Sequence, residues 1–284
     1  MMQKTDRFVH VAPAIWSYTE SVKKPLVSLM MICPRLSRPL LPFLCCLAFA
    51  VPGRVLSAEI LFFDDFTGPA SDLASHSPTQ GNSAWMAPPN PAQALQLDGD
   101  GRAVFDSESI GDGRRKHAWV NTGATGDEYY VAAECSIDGP VSGRGGWAAV
   151  GFAQDMSQAR EPLLASTLFA VNPAGGWFLW VRDRNESDRP PFRGLLKPEA
   201  GFSRGQPVTL SLLYNQSSGQ LESYVNDHLV HSVMVSDPAL PVGSAVLAFH
   251  VGDPTNLSAA SQIFAERFLV SDGKTEMPSS GSAP

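Results

Sequence analysis

Cysteine, charge and long apolar runs are all scarce in this chain of 284 residues. It contains four cysteines, and charged residues make up only 17% of it, against 44% hydrophobic and 9% aromatic residues. A disordered polypeptide or a coiled coil would have more charge or fewer aromatics, so the composition excludes both. His-Glu-x-x-His, paired Cys-x-x-Cys and phosphate-loop sequences are missing. Zinc and nucleotide chemistry therefore have no signature here.

Glycine and proline, in contrast, are abundant. The 24 Gly and 23 Pro residues interrupt the chain too often for long helices. Between them, from Ile60 onward, apolar residues recur mostly with a period of two, which predicts β-strands in one all-β domain over residues 59–270. The predicted strands are 60–66, 94–98, 103–106, 118–121, 128–137, 147–154, 166–172, 177–182, 208–214, 220–226, 229–235, 244–251 and 263–270.

Two segments lack this alternation. Residues 67–93 are rich in Pro, Ser, Asn and Gly, and they predict a long loop that Trp85 anchors to the sheets. Residues 271–284 have few apolar groups and predict a disordered tail.

The N-terminal region resembles an export signal. Two arginines precede an apolar run of 12 residues, 40–51, and the small pair Ser57-Ala58 follows it. This order is typical of a secretory signal peptide, and the run is too short to span a bilayer. We therefore expect residues 1–58 to be a signal peptide with an N-terminal extension, the true start being Met30 or Met31. The alternative is that the apolar run 40–51 forms a buried core helix. Export predicts a secreted, periplasmic or extracellular protein.

Removal of residues 1–58 changes the charge and cysteine content. It leaves 14 basic and 26 acidic residues, a net charge of −12. Such an acidic protein is a poor partner for nucleic acid. Only Cys135 would remain, so no internal disulfide could form. No later segment has the ~18 apolar residues of a membrane span.

The alternation also predicts which side chains face outward. Leu179 and Leu247 are predicted to face inward, and the other side of their strands then carries polar and aromatic groups. On a third strand the inward residue is Val131. The outward positions that we select as candidate contacts are Trp180, Arg182, Glu134 and His250, and they would form one group if their strands were neighbours.

Four segments resemble the concanavalin A-like lectin/glucanase superfamily, in its laminin-G-like jelly-roll form. They are Phe-Phe-Asp-Asp-Phe at 62–66, Gly-Trp-Ala-Ala-Val-Gly-Phe at 146–152, the hairpin at 221–229 and the closing strand at 264–270. The resemblance covers nearly all of residues 60–270 and implies a two-sheet antiparallel jelly-roll sandwich. The superfamily includes lectins, carbohydrate-binding modules, glycoside hydrolases, polysaccharide lyases and adhesion domains, so the resemblance specifies the fold better than the activity.

Catalytic motifs of the superfamily are matched only in fragments. Glu186-Ser187-Asp188 fits the first half of the laminarinase-like Glu-x-Asp-x-x-Glu, but Pro191 stands where the second Glu belongs. A lyase-like site would need an arginine with a histidine and a tyrosine, roles that Arg182, His250 and Tyr130 could fill. We therefore assign no catalytic residue.

A metal is equally weakly indicated. Asp98-Gly99-Asp100-Gly101 supplies two carboxylates, whereas calcium takes six to eight oxygen ligands. A plain hairpin turn explains the same residues. No cofactor and no metal ligand are assigned, and calcium is left open.

The sequence thus predicts a secreted, non-catalytic binding module for a polysaccharide or cell-surface glycan. Trp147, Trp177 and Trp180 are candidates for stacking on a sugar ring, and Trp180 is the first choice with Trp177 second. Arg182 would hold hydroxyls or a carboxylate, and Glu134 and His250 would exchange hydrogen bonds. The alternatives are ordinary core tryptophans and a self-paired surface arginine. The alternative functions are a polysaccharide-degrading lyase or hydrolase, and a structural or adhesion module without a small ligand.

Overall fold

The computed structural model describes residues 58–105, 115–123, 125–139, 146–154, 166–181, 192–235, 240–250 and 262–279. Within these ranges the regular structure is β-strand apart from three short 3-10 turns. No helix among them is both long and apolar enough to cross a membrane. The predicted signal peptide lies outside the described residues, except for Ala58.

Fifteen strands occur in the described ranges. They are β1 Ile60–Asp64, β2 Ser71–Asp72, β3 Gln96–Leu97, β4 Ala103–Val104, β5 Arg115–Asn121, β6 Glu128–Ile137, β7 Trp147–Ala153, β8 Ser166–Val171, β9 Gly176–Trp180, β10 Phe192–Leu195, β11 Pro207–Asn215, β12 Gln220–Val225, β13 His228–Met234, β14 Ser244–His250 and β15 Ile263–Ser271.

The strands form two antiparallel sheets. The nine-stranded sheet has the order β13-β12-β11-β6-β15-β4-β3-β2, with β1 also paired to β15. The six-stranded sheet has the order β10-β9-β8-β7-β14-β5. The predicted all-β, two-sheet antiparallel sandwich is therefore confirmed.

All thirteen predicted strands are present, β6 with the predicted ends and the others with shifted ends, and two more lie where loops were predicted. One is the two-residue β2, which is too short to show an alternation. The other is β10, an edge strand that pairs only with β9. Its Gly194 lies under the Trp177 ring, where an added Cβ would come within 2.9 Å of ring atoms. Proline and arginine around β10 hid it from the sequence pattern.

The main core lies between the two sheets, where the inward faces predicted from the alternation are confirmed. The nine-stranded sheet contributes the fully buried Val131 of β6 and Leu212 of β11 to this core. The six-stranded sheet contributes the fully buried Phe169 of β8 and Phe249 of β14. Cys135, the free cysteine of the described ranges, belongs to the same layer. Burial raises the pKa of its thiol. Such a layer supplies most of the stability through apolar area removed from water.

Trp85 anchors the long loop 67–93, as predicted. Its ring packs edge-on against Phe62 at 5.2 Å and lies 5.0 Å from Phe268. Its Nε1 donates to Oδ2 of the fully buried Asp64 at 2.5 Å, and His76 Nε2 lies 3.0 Å from Asp64 Oδ1. Burial raises the pKa of Asp64, and these contacts oppose that effect. The loop is thus fixed by apolar packing around one buried carboxylate.

Residues 272–279, which belong to the predicted disordered tail, lie against the outer side of the nine-stranded sheet. Met277 packs on a second apolar layer that contains Phe63, Tyr130 and Leu269. Arg267 Nη1 donates to the Pro278 carbonyl at 2.6 Å. Both faces of this sheet are therefore covered in its central part. Residues 280–284 lie outside the described residues.

Replacement of Trp85 by Phe tests the anchor. The phenyl ring keeps most of the packing but cannot donate to Asp64, so we expect the free energy of unfolding to fall by about 2 kcal/mol. Chemical denaturation monitored by fluorescence measures this. Asp64→Ala should lower the stability further, because it leaves several buried donors without an acceptor. A Trp85→Phe protein with the wild-type denaturation midpoint would contradict this role of the indole N–H.

Candidate functional site

The outer side of the six-stranded sheet carries a second apolar cluster. Strand alternation places the side chains at odd positions of β7 and at even positions of β8, β9 and β14 on this side, together with odd positions of β5. The cluster consists of the buried residues Trp119, Ala149, Ala153, Leu168, Ala170, Val246 and Ala248 and the partly buried Met86, Trp147, Phe178 and Trp180. We name Trp119, Trp147, Phe178 and Trp180, with His117 and His250, the outer aromatic face.

Trp147 is the centre of one half of this face. Its ring stacks on His250 with centroids 5.5 Å apart and planes at 10°, and it meets Phe178 edge-on at 5.6 Å. Trp180 lies two residues beyond Phe178 on β9 and so points to the same side. All four rings are partly exposed. A solute above this half of the sheet would therefore contact a continuous group of aromatic rings.

Small residues form the floor beside these rings. Ala149 and Gly151 of β7 continue into Ala170 of β8 and Ala248 of β14. At Gly151 an added Cβ would come within 2.1 Å of the Thr167 carbonyl oxygen, so the close approach of the two strands requires glycine. These alanines are fully buried, whereas Trp147, Phe178 and Trp180 beside them are partly exposed.

His117 and Trp119 occupy the β5 end of the face. Their rings stack at 5.8 Å with planes at 18°, and only 2% and 3% of the two residues is exposed. Within the described part of the chain, the two imidazole nitrogens of His117 and the indole Nε1 of Trp119 have no hydrogen-bond partner. Burial lowers the pKa of His117 from 6.5 to about 4, so its imidazole is neutral at neutral pH.

Two of the predicted contacts share this face. Trp180 and His250 both lie on it, joined through Trp147 and Phe178. Arg182 lies outside the described residues. The buried Val181 before it faces the core, as the alternation predicted.

Trp177 faces the opposite way from Trp180. It packs against the main core between the sheets, 5.4 Å from the His231 ring and 6.5 Å from the Phe169 ring. Residues three apart on a strand point to opposite sides, so the two tryptophans cannot serve one face. Trp177, the second choice for stacking on a sugar ring, therefore lies on the other side of the sheet from Trp180.

Glu134 lies on the other sheet. It belongs to β6 and points outward from the nine-stranded sheet, where Arg267 forms an ion pair with it. The condition that its strand neighbours those of Trp180 and His250 is therefore not met. The predicted group of four is divided between the two exteriors of the sandwich.

Tyr130 is likewise separated from His250. It is buried in the second apolar layer of the nine-stranded sheet, and burial raises its pKa. The lyase-like arrangement of Tyr130 with His250 is thus not formed. Glu186, Asp188 and Pro191 lie outside the described residues. None of the six strands β5, β7, β8, β9, β10 and β14 contains an Asp or a Glu.

The Asp98–Gly101 segment is a turn between β3 and β4. Asp98 Oδ1 accepts hydrogen bonds from the backbone N–H groups of Asp100 at 2.7 Å and of Arg102 at 3.2 Å. In the residues that the structure describes, no group of three or more His, Cys, Asp or Glu side chains could hold a metal ion.

Sequence reasoning missed His117, Trp119 and Met86 as parts of this face. The predicted strand began at residue 118, one position after His117, whereas β5 begins at Arg115. The alternation of His117 and Trp119 with Ala118 and Val120 was the signal that could have identified them. Met86 joins through two backbone hydrogen bonds with Trp119, at 2.8 and 3.1 Å, which no local pattern indicates.

Comparison with known proteins identifies the fold. No family model and no curated protein matches the chain. An endo-1,3-β-glucanase from Streptomyces sioyaensis has a TM-score of 0.52 at 11% identity, over 78% of this chain and 99% of its own. A mutant of SCLam, a non-specific endo-β-1,3(4)-glucanase, has a TM-score of 0.50 at 14% identity, over 76% and 95%. The carbohydrate recognition domain of Emp47p reaches 0.48 at 15% identity, over 75% and 98%. The chain has the concanavalin A-like jelly-roll fold.

The low pKa of His117 predicts an acid-dependent loss of stability. The unfolded chain binds a proton near pH 6.5 and the folded protein only near pH 4, so stability is complete above 6.5 and falls as the pH drops towards 4. The contribution is about 3 kcal/mol. His117→Phe should reduce this slope, measured as the free energy of unfolding from pH 7 to 4. Parallel curves for the variant and the wild type would show that His117 does not cause the pH dependence of the free energy of unfolding.

Proposed function

We propose that this protein is an exported, non-catalytic carbohydrate-binding module that holds its ligand on the outer aromatic face. The observation that carries the proposal is the continuous, partly exposed group of Trp147, Phe178 and Trp180 on one side of the six-stranded sheet. Indole rings pack well against the C–H groups of a pyranose ring. A group of such partly exposed rings suits a glycan.

The individual side chains suit different parts of such a ligand. Trp180 stacks on a sugar ring, and Trp147 presents its indole together with the stacked His250 imidazole. His250 is partly exposed and can exchange hydrogen bonds with hydroxyl groups. Arg182 follows β9 in the sequence by two residues, and in this proposal it holds hydroxyls or a carboxylate.

The fold guides the choice of the first ligand to test. Two solved structures with this fold are named as a 1,3-β-glucanase and a 1,3(4)-β-glucanase, and the second was crystallised with a glucan oligosaccharide. A soluble β-glucan such as laminarin is therefore the first probe. A polyuronate such as polygalacturonate is the second, because Arg182 could hold a carboxylate.

The non-catalytic part of the proposal rests on the absence of carboxylates from the six strands. Glycosidases require two carboxyl groups on either side of the scissile bond. The strands below the proposed ligand supply indole, imidazole and methyl groups instead. Release of reducing sugar from laminarin by the purified protein would favour the hydrolase alternative.

Export is tested by the mature N-terminus. The basic, apolar and small residues before position 59 predict cleavage near Ala58. Mass spectrometry of protein recovered outside the cytoplasm should give a first peptide that begins near Glu59. Recovery of peptides from residues 1–29 on that protein would contradict the proposed signal peptide.

Replacement of Trp180 by Ala tests the ligand site. Loss of one stacking indole should weaken laminarin binding about tenfold and leave the fold intact, because the residue is partly exposed. Affinity electrophoresis in laminarin gels and thermal denaturation measure the two effects. The matched control is Tyr224→Ala, which removes a partly exposed aromatic ring from the other sheet. Equal retardation of both variants and the wild type would remove the outer aromatic face as the site.

A further inference from the structure

Three buried nitrogen atoms at the β5 end of the outer aromatic face have no partner within the described part of the chain. They are Nδ1 and Nε2 of His117 and Nε1 of Trp119. Buried polar groups are nearly always hydrogen-bonded, and each one left without a partner costs about 1–3 kcal/mol. Three of them on two adjacent outward positions of one strand therefore need a physical explanation.

The two rings cannot satisfy each other. Their planes are inclined by only 18°, with centroids 5.8 Å apart. The N–H bonds and the imidazole lone pair lie in the ring planes, so a stacked arrangement directs them away from the other ring. All three polar atoms are therefore buried and directed away from the other ring, so only a third group could bond to them.

The cross-strand neighbours of the two rings are apolar, whereas Arg115 and Asn121 occupy the next outward positions of β5 itself. His117 pairs with Ala248 of β14 and, on the other side, bridges to Ala94. Trp119 pairs with Val246 and bridges to Met86. None of these four side chains can form a hydrogen bond with a ring nitrogen at neutral pH, apart from the weak thioether acceptor of Met86. The cross-strand neighbours that form this end of the face carry no charge.

We infer that His117 and Trp119 form a polar subsite that binds the hydroxyl groups of a neutral sugar, next to the stacking residues of the same face. This inference rests on the proposed function and names the class of sugar. The subsite extends the face from β9 across the sheet to β5.

The hydrogen-bonding capacity of the three nitrogen atoms favours a neutral sugar over a charged group. A neutral imidazole offers one donor and one acceptor, and the indole offers one further donor. A pair of hydroxyl groups can donate to the imidazole acceptor and accept from both N–H groups. A carboxylate or a sulfate only accepts, so it would leave the acceptor nitrogen of His117 without a partner. Hydroxyl groups of a sugar ring therefore fit these three atoms, and a carboxylate or sulfate in the same place does not.

Access to the subsite depends on Met86. Its backbone is fixed to Trp119 by two hydrogen bonds, whereas its side chain packs against the cluster and is partly exposed. A methionine side chain is unbranched and adapts to different surroundings. The proposal requires this side chain to move when a ligand binds, because only 2% of His117 and 3% of Trp119 is exposed.

The experiment compares His117→Phe with the wild type in the full chain, measuring both binding and thermal stability. Phenyl keeps the bulk and the stacking on Trp119 but removes both imidazole nitrogens. We expect laminarin binding by calorimetry to weaken about tenfold. We also expect the melting temperature to rise, because two buried unpaired groups are gone. A purely structural histidine would give the stability gain alone. Trp119→Phe, which removes only the indole nitrogen and part of the ring, should weaken binding as well.

His231→Phe is the matched control. His231 also has a buried nitrogen, Nε2, without a partner in the described residues, but it packs between the sheets against Trp177 and Phe192. The same substitution there should leave laminarin binding unchanged. If His231→Phe weakened binding as much as His117→Phe, the effect would be one of stability and the subsite would be refuted.

The remaining outcomes separate the two proposals. Wild-type laminarin binding in His117→Phe and Trp119→Phe, together with a loss in Trp180→Ala, would overturn the subsite and keep the proposed function. If the wild type preferred polygalacturonate to laminarin, and His117→Phe abolished that preference, the inference that the subsite binds a neutral sugar would be overturned. Failure of the wild type to bind either glycan would overturn both proposals.

Discussion

The two-residue period of the β-strand is the constraint on which this structure depends. In the six-stranded sheet it assigns Phe169, Leu179 and Phe249 to the core and leaves the alternate positions to the exterior. Those alternate positions are themselves rich in aromatic and small residues, so the sheet has an apolar layer on each side. The inner layer explains why the protein folds. The outer layer leaves Trp147, Phe178 and Trp180 partly exposed, and the proposed ligand site rests on these rings.

The two exteriors of the sandwich are used differently. On the nine-stranded sheet, the chain's own residues 272–279 cover part of the outer surface, with Met277 on the apolar layer and Arg267 shared between Glu134 and Pro278. On the six-stranded sheet, Met86 from the loop that Trp85 anchors reaches the edge at Trp119. The buried carboxylate of Asp64 therefore indirectly supports the border of the outer aromatic face, although it lies on the other sheet.

Parity along a strand could be predicted from the sequence, but the pairing between strands could not. The alternation correctly placed Leu179 inward, and the same counting would have placed Trp177 inward and separated it from Trp180. Whether Glu134 shares a sheet with His250 depends on hydrogen bonds between strands far apart in the chain, which no local pattern encodes. His117 was missed for a third reason, since the ends of a strand are its least regular part and β5 begins three residues before its predicted start.

The pairing of β1 with β15 brings the first and last strands of the sandwich together. Ile60 lies opposite Ser271, and the Asp272 N–H donates to the Glu59 carbonyl at 3.1 Å. The start of the first strand and the end of the last strand therefore lie side by side, on the sheet that does not carry the outer aromatic face. A linker joining those ends, with new termini opened in a surface turn, would give a circular permutant with the same layers. Tandem fusion at this edge would likewise build multivalent arrays in which each copy presents its rings away from the joints.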